Sequence, residues 1–265
     1  MHPIEHLRYV ARARGTEPAF LAREAATALA TLRADHANLV VASRRIVERH
    51  PEVAQLWWLC ARLLVAADPT AEAWELADRL ADDSVADALA AALPSEAVAV
   101  TIGNPVVTAL ALAQRPDVTV RCADSEFGAA DLLRFLDRFE IDAEPIATES
   151  LGRAVSAADV VLIEALAVAG DRALAPVGSQ LVAALARSAG TPVWLVAPTG
   201  TRLPPQYVDE IARRTLADDC ARSVDEVASE LVAIVVTDSG AVPMTPVAVR
   251  PDCPFAPELL RPGIA

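Results

Sequence analysis

Residues 158–201 read ADVVLIEALAVAGDRALAPVGSQLVAALARSAGTPVWLVAPTGT, and the fold of the whole chain turns on them. Residues 159–163 and 193–197 are short runs rich in Val, Leu and Ile, each ending in small or turn-forming residues, as strands covered on both faces do. Between them, Gly178-Ser179 opens an apolar helical run over 180–189. The order is strand, loop, helix, strand, and the helix begins where backbone N–H groups could hold an anion.

Outward from this segment the pattern repeats. Strands are expected at 97–102, 118–122, 143–146, 160–163, 193–197 and 231–236, with helices at about 105–114, 128–139, 152–157, 177–189 and 205–212. Alternation of this kind is the sequence form of a mostly parallel, Rossmann-like sheet flanked by helices. Before residue 94 there is no strand-like alternation. Residues 18–34, 36–50, 51–67 and 70–93 carry apolar side chains at three- and four-residue spacing, with Pro51 fitting a first helical position and Asp68-Pro69-Thr70 a turn. The expected organisation is a helical domain over 1–94 and a Rossmann-like α/β domain over 95–265. Trp57, Trp58, Leu59, Leu63 and Trp74 read as packing residues between helices or against the second domain. The proline-rich tail over 242–265 cannot be helical throughout and is expected to wrap a surface or a partner subunit.

Composition narrows the function. The chain has 265 residues, 54% of them hydrophobic, and a net charge of −13, and all 23 of its basic residues are arginine. An acidic chain with scattered arginines is a poor binder of nucleic acid, which needs clustered positive charge. The absence of lysine removes Schiff-base and Walker-type chemistry. No run approaches a membrane span, and the first residues lack the apolar block of a signal peptide, so a cytoplasmic protein without membrane contact is expected. Cys60, Cys122, Cys220 and Cys253 lie far apart and read as reduced structural thiols. The four histidines, His2, His6, His36 and His50, all fall in the helical part. Neither a metal nor a cofactor is expected.

The VVLIEALAV, PVGS and VAPTGT motifs, in this order, resemble those of the translation initiation factor 2B alpha/beta/delta-like family, which also contains the methylthioribose-1-phosphate and ribose-1,5-bisphosphate isomerases. The family pattern runs roughly V-L-x-G-A-D-A-x, an Asn-Gly loop, N-K-I-G-T, a helix, and a strand ending V-A-P-T-S-T. The chain keeps the frame and changes its polar positions: Glu164 stands at the Gly, Leu166 at the Asp, and Ala175 and Pro176 at the Asn and Lys. Residues 231–243, LVAIVVTDSGAVP, look like the family's closing strand and T-D-x-G-V turn, which precedes a final short helix there.

Three crests at the carboxyl ends of the strands are the candidate sites. After the first strand, Gly103 and Asn104 precede Pro105, with Asn104 a candidate N-cap; the resemblance places the isomerases' catalytic cysteine here, and this chain has none. After the second strand, Cys122-Ala123-Asp124-Ser125-Glu126 stands where relatives carry a ligand-reaching arginine, so Glu126 would repel a phosphate, leaving Ser125 as the candidate contact. The third crest holds Glu164, Arg172, Gly178 and Ser179. Glu164 reads either as an acid or base or as a hydrogen-bonded residue closing a strand.

Loss of both the cysteine and the aspartate removes the isomerases' proton shuttle, so the expectation leans away from an enzyme. The leading reading is a non-catalytic binder of a nucleotide, a sugar phosphate or a protein partner at the carboxyl edge of the sheet. An isomerase of altered chemistry using Glu164, Asn104 or Asp171 is an alternative. The third reading is an assembly protein acting as a homodimer, since the resemblance implies dimerisation through the α/β domain.

Overall fold

The computed structural model describes residues 17–31, 36–124, 128–215 and 224–261, together with residues 5, 10 and 12. It divides into two compact units. One is built from residues 1–83, 199–217 and 250–265, the other from 84–198 and 218–249.

The first unit holds α1 (Pro18–Thr31), α2 (His36–Arg49), α3 (Ala54–Val65) and α4 (Pro69–Ala81). Asp68 starts α4 by accepting hydrogen bonds from the N–H groups of Thr70 and Ala71 at 3.0 and 3.1 Å, with Pro69 in the first turn, so this cluster is a cap rather than a free turn. Pro51 lies in a turn before α3, which begins three residues later. Trp57 and Trp58 are fully buried in α3, whereas Trp74 is 46% exposed and is not part of the core. The Trp57 ring meets that of Tyr207 of α10 (Pro205–Thr215) at a tilt of 40°, with centroids 5.3 Å apart. Gly200, at φ +80° within VAPTGT, lets this loop pass over Trp58; a Cβ there would sit 3.1 Å from the ring. The tail packs into the same unit: Trp58 Nε1 donates to Asp252 O, and the Tyr207 hydroxyl donates to Ala256 O at 3.0 Å.

The second unit is doubly wound. It begins with α5 (Val85–Ala92), so the stretch 70–93 folds as two helices, interrupted at Asp82-Asp83-Ser84. The strands β1 (Val98–Ile102), β2 (Thr119–Ala123), β3 (Ala143–Ile146), β4 (Val160–Glu164), β7 (Val193–Val196) and β9 (Ile234–Thr237) pair in parallel. An edge strand, β10 (Gly240–Pro243), pairs antiparallel with β9, giving the order β10-β9-β7-β4-β1-β2-β3.

Alternate residues feed two cores. Val160 and Leu162 pack under α5, α6 (Val106–Leu112) and α7 (Ala129–Asp137), while Val161 and Ile163 pack under α8 (Leu151–Ser156) and α9 (Ser179–Ala189). Burial of β4 on both faces explains its unbroken apolar run.

Two local expectations are corrected. Residues between Glu164 and Ser179 are not all loop: β5 (Ala167–Val168) and β6 (Arg172–Pro176) form a hairpin that pairs with β8 (Val224–Ala228) in a second, three-stranded sheet. Such short strands carry too little alternation to be read from sequence. Past Asp238-Ser239 the chain turns back as β10, and the only helical turn after it among the described residues is the 3₁₀ turn Pro257–Leu260.

Candidate functional site

Among the helix N-termini at the carboxyl rim of the seven-stranded sheet are those of α6, α7 and α9. Each leaves backbone N–H groups without intrahelical partners and carries positive potential. In all three the acceptor is a carboxylate of the chain itself.

Glu164 closes β4 and reaches α6. Its Oε2 accepts from the Thr108 N–H at 2.7 Å and the Thr108 hydroxyl at 2.9 Å. Burial pushes the Glu164 carboxyl above its ordinary value, against the N–H groups of Thr108, Val107 and Val106, which favour the charged form. Asn104, the candidate cap of this helix, makes no capping bond and is exposed; the helix starts after Pro105, and the acceptor comes from the neighbouring strand instead.

Asp124, just past β2, accepts from the Ala129 N–H at the start of α7 at 3.2 Å. Ser125 and Glu126, the candidate contacts of this crest, lie outside the described residues.

At α9, Asp225 Oδ2 accepts from the N–H groups of Gly178 and Gln180 at 2.8 and 3.1 Å. Gly178 adopts φ +94°, and a Cβ on it would stand 2.8 Å from Ile102 Cδ1. The rim between β1 and α9 is therefore packed with side chain. Ser179 is fully buried, and its hydroxyl has no hydrogen-bond partner among the described residues. Arg172, on β6, faces two carboxylates, Asp171 at 3.1 Å and Glu226 at 3.3 Å. Its charge is matched within the small sheet.

The residues singled out from sequence thus converge only in part. Glu164 reaches α6, which begins just after Gly103 and Asn104, and Gly178 lies against Ile102 at the end of β1, while Arg172 turns to its own sheet. Sequence reasoning missed Thr108 and Asp225. Neither announces itself, because the partner of each is 56 or 47 residues away in the chain.

One thiol does reach the rim. Cys122 Sγ donates to Gly103 O at 3.5 Å, but the residue is fully buried, and burial, helped by the charge of Asp124, pushes its pKa up to about 12. A thiol held neutral in this way is a poor nucleophile or base. Cys60 and Cys253 are likewise free and buried, and Cys220 lies outside the described residues. Among the described residues no cluster of His, Cys, Asp and Glu is placed to hold a metal ion, and no helix is long and apolar enough to cross a membrane.

An open groove lies beside the rim, on the outer side of α6 and α7, with a volume of about 510 Å³. Asn104, Val106, Leu110, Asp131, Arg134 and Phe135 form most of its wall.

Helices leading into a seven-stranded, doubly wound sheet, with the motif order of its central crossover, define the fold of the initiation factor 2B alpha/beta/delta-like proteins. The translation initiation factor eIF-2B of Pyrococcus horikoshii OT3 is similar at a TM-score of 0.75 and 18% identity, over 94% of this chain and 98% of that one. A chain of the tetrameric eIF2B-beta2-delta2 complex from C. thermophilum is similar at 0.75 and 15%, over 93% and 91%. The delta subunit of eIF-2B from A. fulgidus follows at 0.60 and 16%, over 91% and 88%. No family model matches the sequence, and no curated protein matches it either. The likeness is one of fold.

Proposed function

We propose that this chain is a non-catalytic protein of initiation-factor-2B-like fold that works by associating with protein, in the first place with a second copy of itself. The observation that carries the reading is the threefold closure of the rim: Glu164, Asp124 and Asp225 each occupy the helix N-terminus that a phosphate would otherwise use. An incoming phosphate would displace a covalently tethered carboxylate and then face its charge. The one described arginine of the candidate set, Arg172, is already paired with acids.

An isomerase of altered chemistry fits less well. Glu164 is engaged with α6, and the remaining thiol of the rim, Cys122, is buried and protonated. General acid–base catalysis needs a group free to reach substrate. A cytoplasmic location accords with the three free, buried thiols among the described residues.

A second reading keeps a phosphorylated small molecule as ligand at α9, and the buried Ser179 hydroxyl, without a hydrogen-bond partner among the described residues, is what favours it. A thermal-shift panel of pentose phosphates and nucleotides separates the two, because a ligand at a hundred times its Kd adds about 2.7 kcal/mol to the folded state. No shift with any of them is expected. A rise of several degrees with one compound, lost in Ser179→Ala, would replace the first reading with the second.

A further inference from the structure

Residues 250–259 cross the helical unit as a strap, and the body of that unit holds the strap by its backbone. Trp58 Nε1 donates to Asp252 O at 3.2 Å, and Arg44 Nε donates to Glu258 O at 2.6 Å. The Tyr207 hydroxyl donates to Ala256 O at 3.0 Å and accepts from Ala256 N at 2.7 Å. The Asp252 N–H donates to Arg202 O at 2.9 Å. One side chain of the strap is gripped as well: the Asp252 carboxylate meets Arg79 at 2.7 Å and Arg202 at 3.8 Å. The same Arg79 guanidinium lies over the Trp58 ring, 5.6 Å from its centroid. Burial along the strap repeats every three residues. Cys253, Ala256 and Leu259 are buried, whereas Pro251, Pro254 and Pro257 are exposed.

We propose that the strap fills a groove for extended peptides, so that the C-terminal segment is an internal ligand which a partner protein's segment of the same chemistry displaces. That chemistry is an acid, followed by small apolar residues one and four positions on and by a leucine at the seventh. The groove belongs wholly to the helical unit, and its occupancy does not depend on the self-association put forward above.

Three features set the strap apart from an ordinary core segment. A core strand is held backbone to backbone, whereas indole, phenol and guanidinium side chains hold this one by its carbonyls. Main-chain bonds that ignore sequence, joined to evenly spaced pockets that read it, are the division of labour in peptide recognition. Next, the acid is read by two arginines, one of them backed by an indole face, which is a charge-assisted contact with a defined partner chemistry. Finally, proline at each exposed position fixes φ and removes an outward N–H. The released strap therefore keeps much of its bound shape and docks again at a reduced entropic cost.

A fluorescein-labelled peptide spanning 250–261, kept reduced and read by fluorescence polarisation against the full chain, tests this. Tethering holds the strap at an effective concentration in the millimolar range, so the unaltered chain should bind the peptide weakly. Asp252→Ala in the chain removes the strap's charged hold and leaves Arg44, Arg79, Arg202, Trp58 and Tyr207 in place. It should tighten peptide binding by about 10-fold. A peptide that itself carries Asp252→Ala should show no such gain, and neither should a chain in which Arg79→Ala is added. Hydrogen exchange on the unaltered chain gives a readout free of mutation: amides of 252–259 should exchange by local opening, about 10-fold or more faster than those of 54–65 on α3. A strap that exchanges only as slowly as α3 overturns the proposal, because a permanent part of the core cannot be displaced. So does an Asp252→Ala chain, folded by circular dichroism, that binds the peptide no better than the unaltered chain.

Discussion

The sheet's carboxyl rim and the outer flank of α6 and α7 are neighbours with opposite treatment of their unsatisfied groups. At the rim, backbone N–H groups that would attract an anion are matched from within by Glu164, Asp124 and Asp225. On the flank, apolar side chains that would seek burial are left uncovered. The contrast runs through a single helix, since α6 has its N-terminus closed by Glu164 while its Leu110 faces outward. Filled polar sockets beside open apolar ridges support the proposed association with protein over the phosphate-binding reading.

The largest effect on the rim should come from filling its tightest point. Gly178→Ala places a Cβ into Ile102 and forces an L-residue into a left-handed conformation, and a loss of about 3 kcal/mol is expected in urea melts from the two causes together. Adding Ile102→Val, which deletes the obstructing methyl, should return part of that loss as a non-additive coupling. Strictly additive behaviour would mean that the rim is looser than the contact implies.

Glu164→Ala comes next. It leaves the N–H and hydroxyl of Thr108 without their acceptor in a buried setting, and a loss of about 2 kcal/mol is expected. Glu164→Gln, which keeps an acceptor oxygen, should lose less. If Ala and Gln were equally harmless, the carboxylate would not be what holds α6, and the rim would be open to another role. Asp225→Ala is smaller again. Its acceptor serves a helix start at the edge of the second sheet, with a cost of about 1 kcal/mol measured in the same way.

How much of this contrast the sequence discloses differs between its two sides. The buried strands are legible because β4 and β7 are covered on both faces, which leaves a continuous apolar signature in VVLI and VWLV. Glu164 is legible as an anomaly, a charge ending such a run, but its partner Thr108 is not, because register across β1 and β4 is what brings them together. Asp225 is less legible still. It arrives on β8, whose pairing with β6 belongs to a sheet of short strands without alternation. The flank is hidden for the opposite reason: Val106, Leu110, Phe135 and Phe139 read as ordinary helix residues, and only the packed structure shows which face each side chain takes.

The smallest effect tests the rim against the helical unit through pH. Glu164 has its carboxyl raised by burial, so the folded state binds its proton more tightly than the unfolded chain does. Its stabilising contribution is whole below the ordinary glutamate value of 4.5 and declines as pH rises from there through the raised folded value. Glu210 on α10 behaves oppositely. Arg213 and Arg214, donating to it at 2.7 Å, hold its carboxyl down at about 2. Its contribution is present above 4.5 and is lost as pH falls through about 2. Glu164→Gln should therefore flatten the decline above the ordinary carboxylate range and leave the acid limb alone, while Glu210→Gln should flatten the acid limb and leave the decline. The Glu210 effect is the weaker, because Arg213 is largely exposed and solvent screens the pair. Urea melts at stepped pH read both, and a Glu164→Gln protein that keeps the unaltered slope above the carboxylate range would show that the rim carboxylate is not buried against α6 in solution.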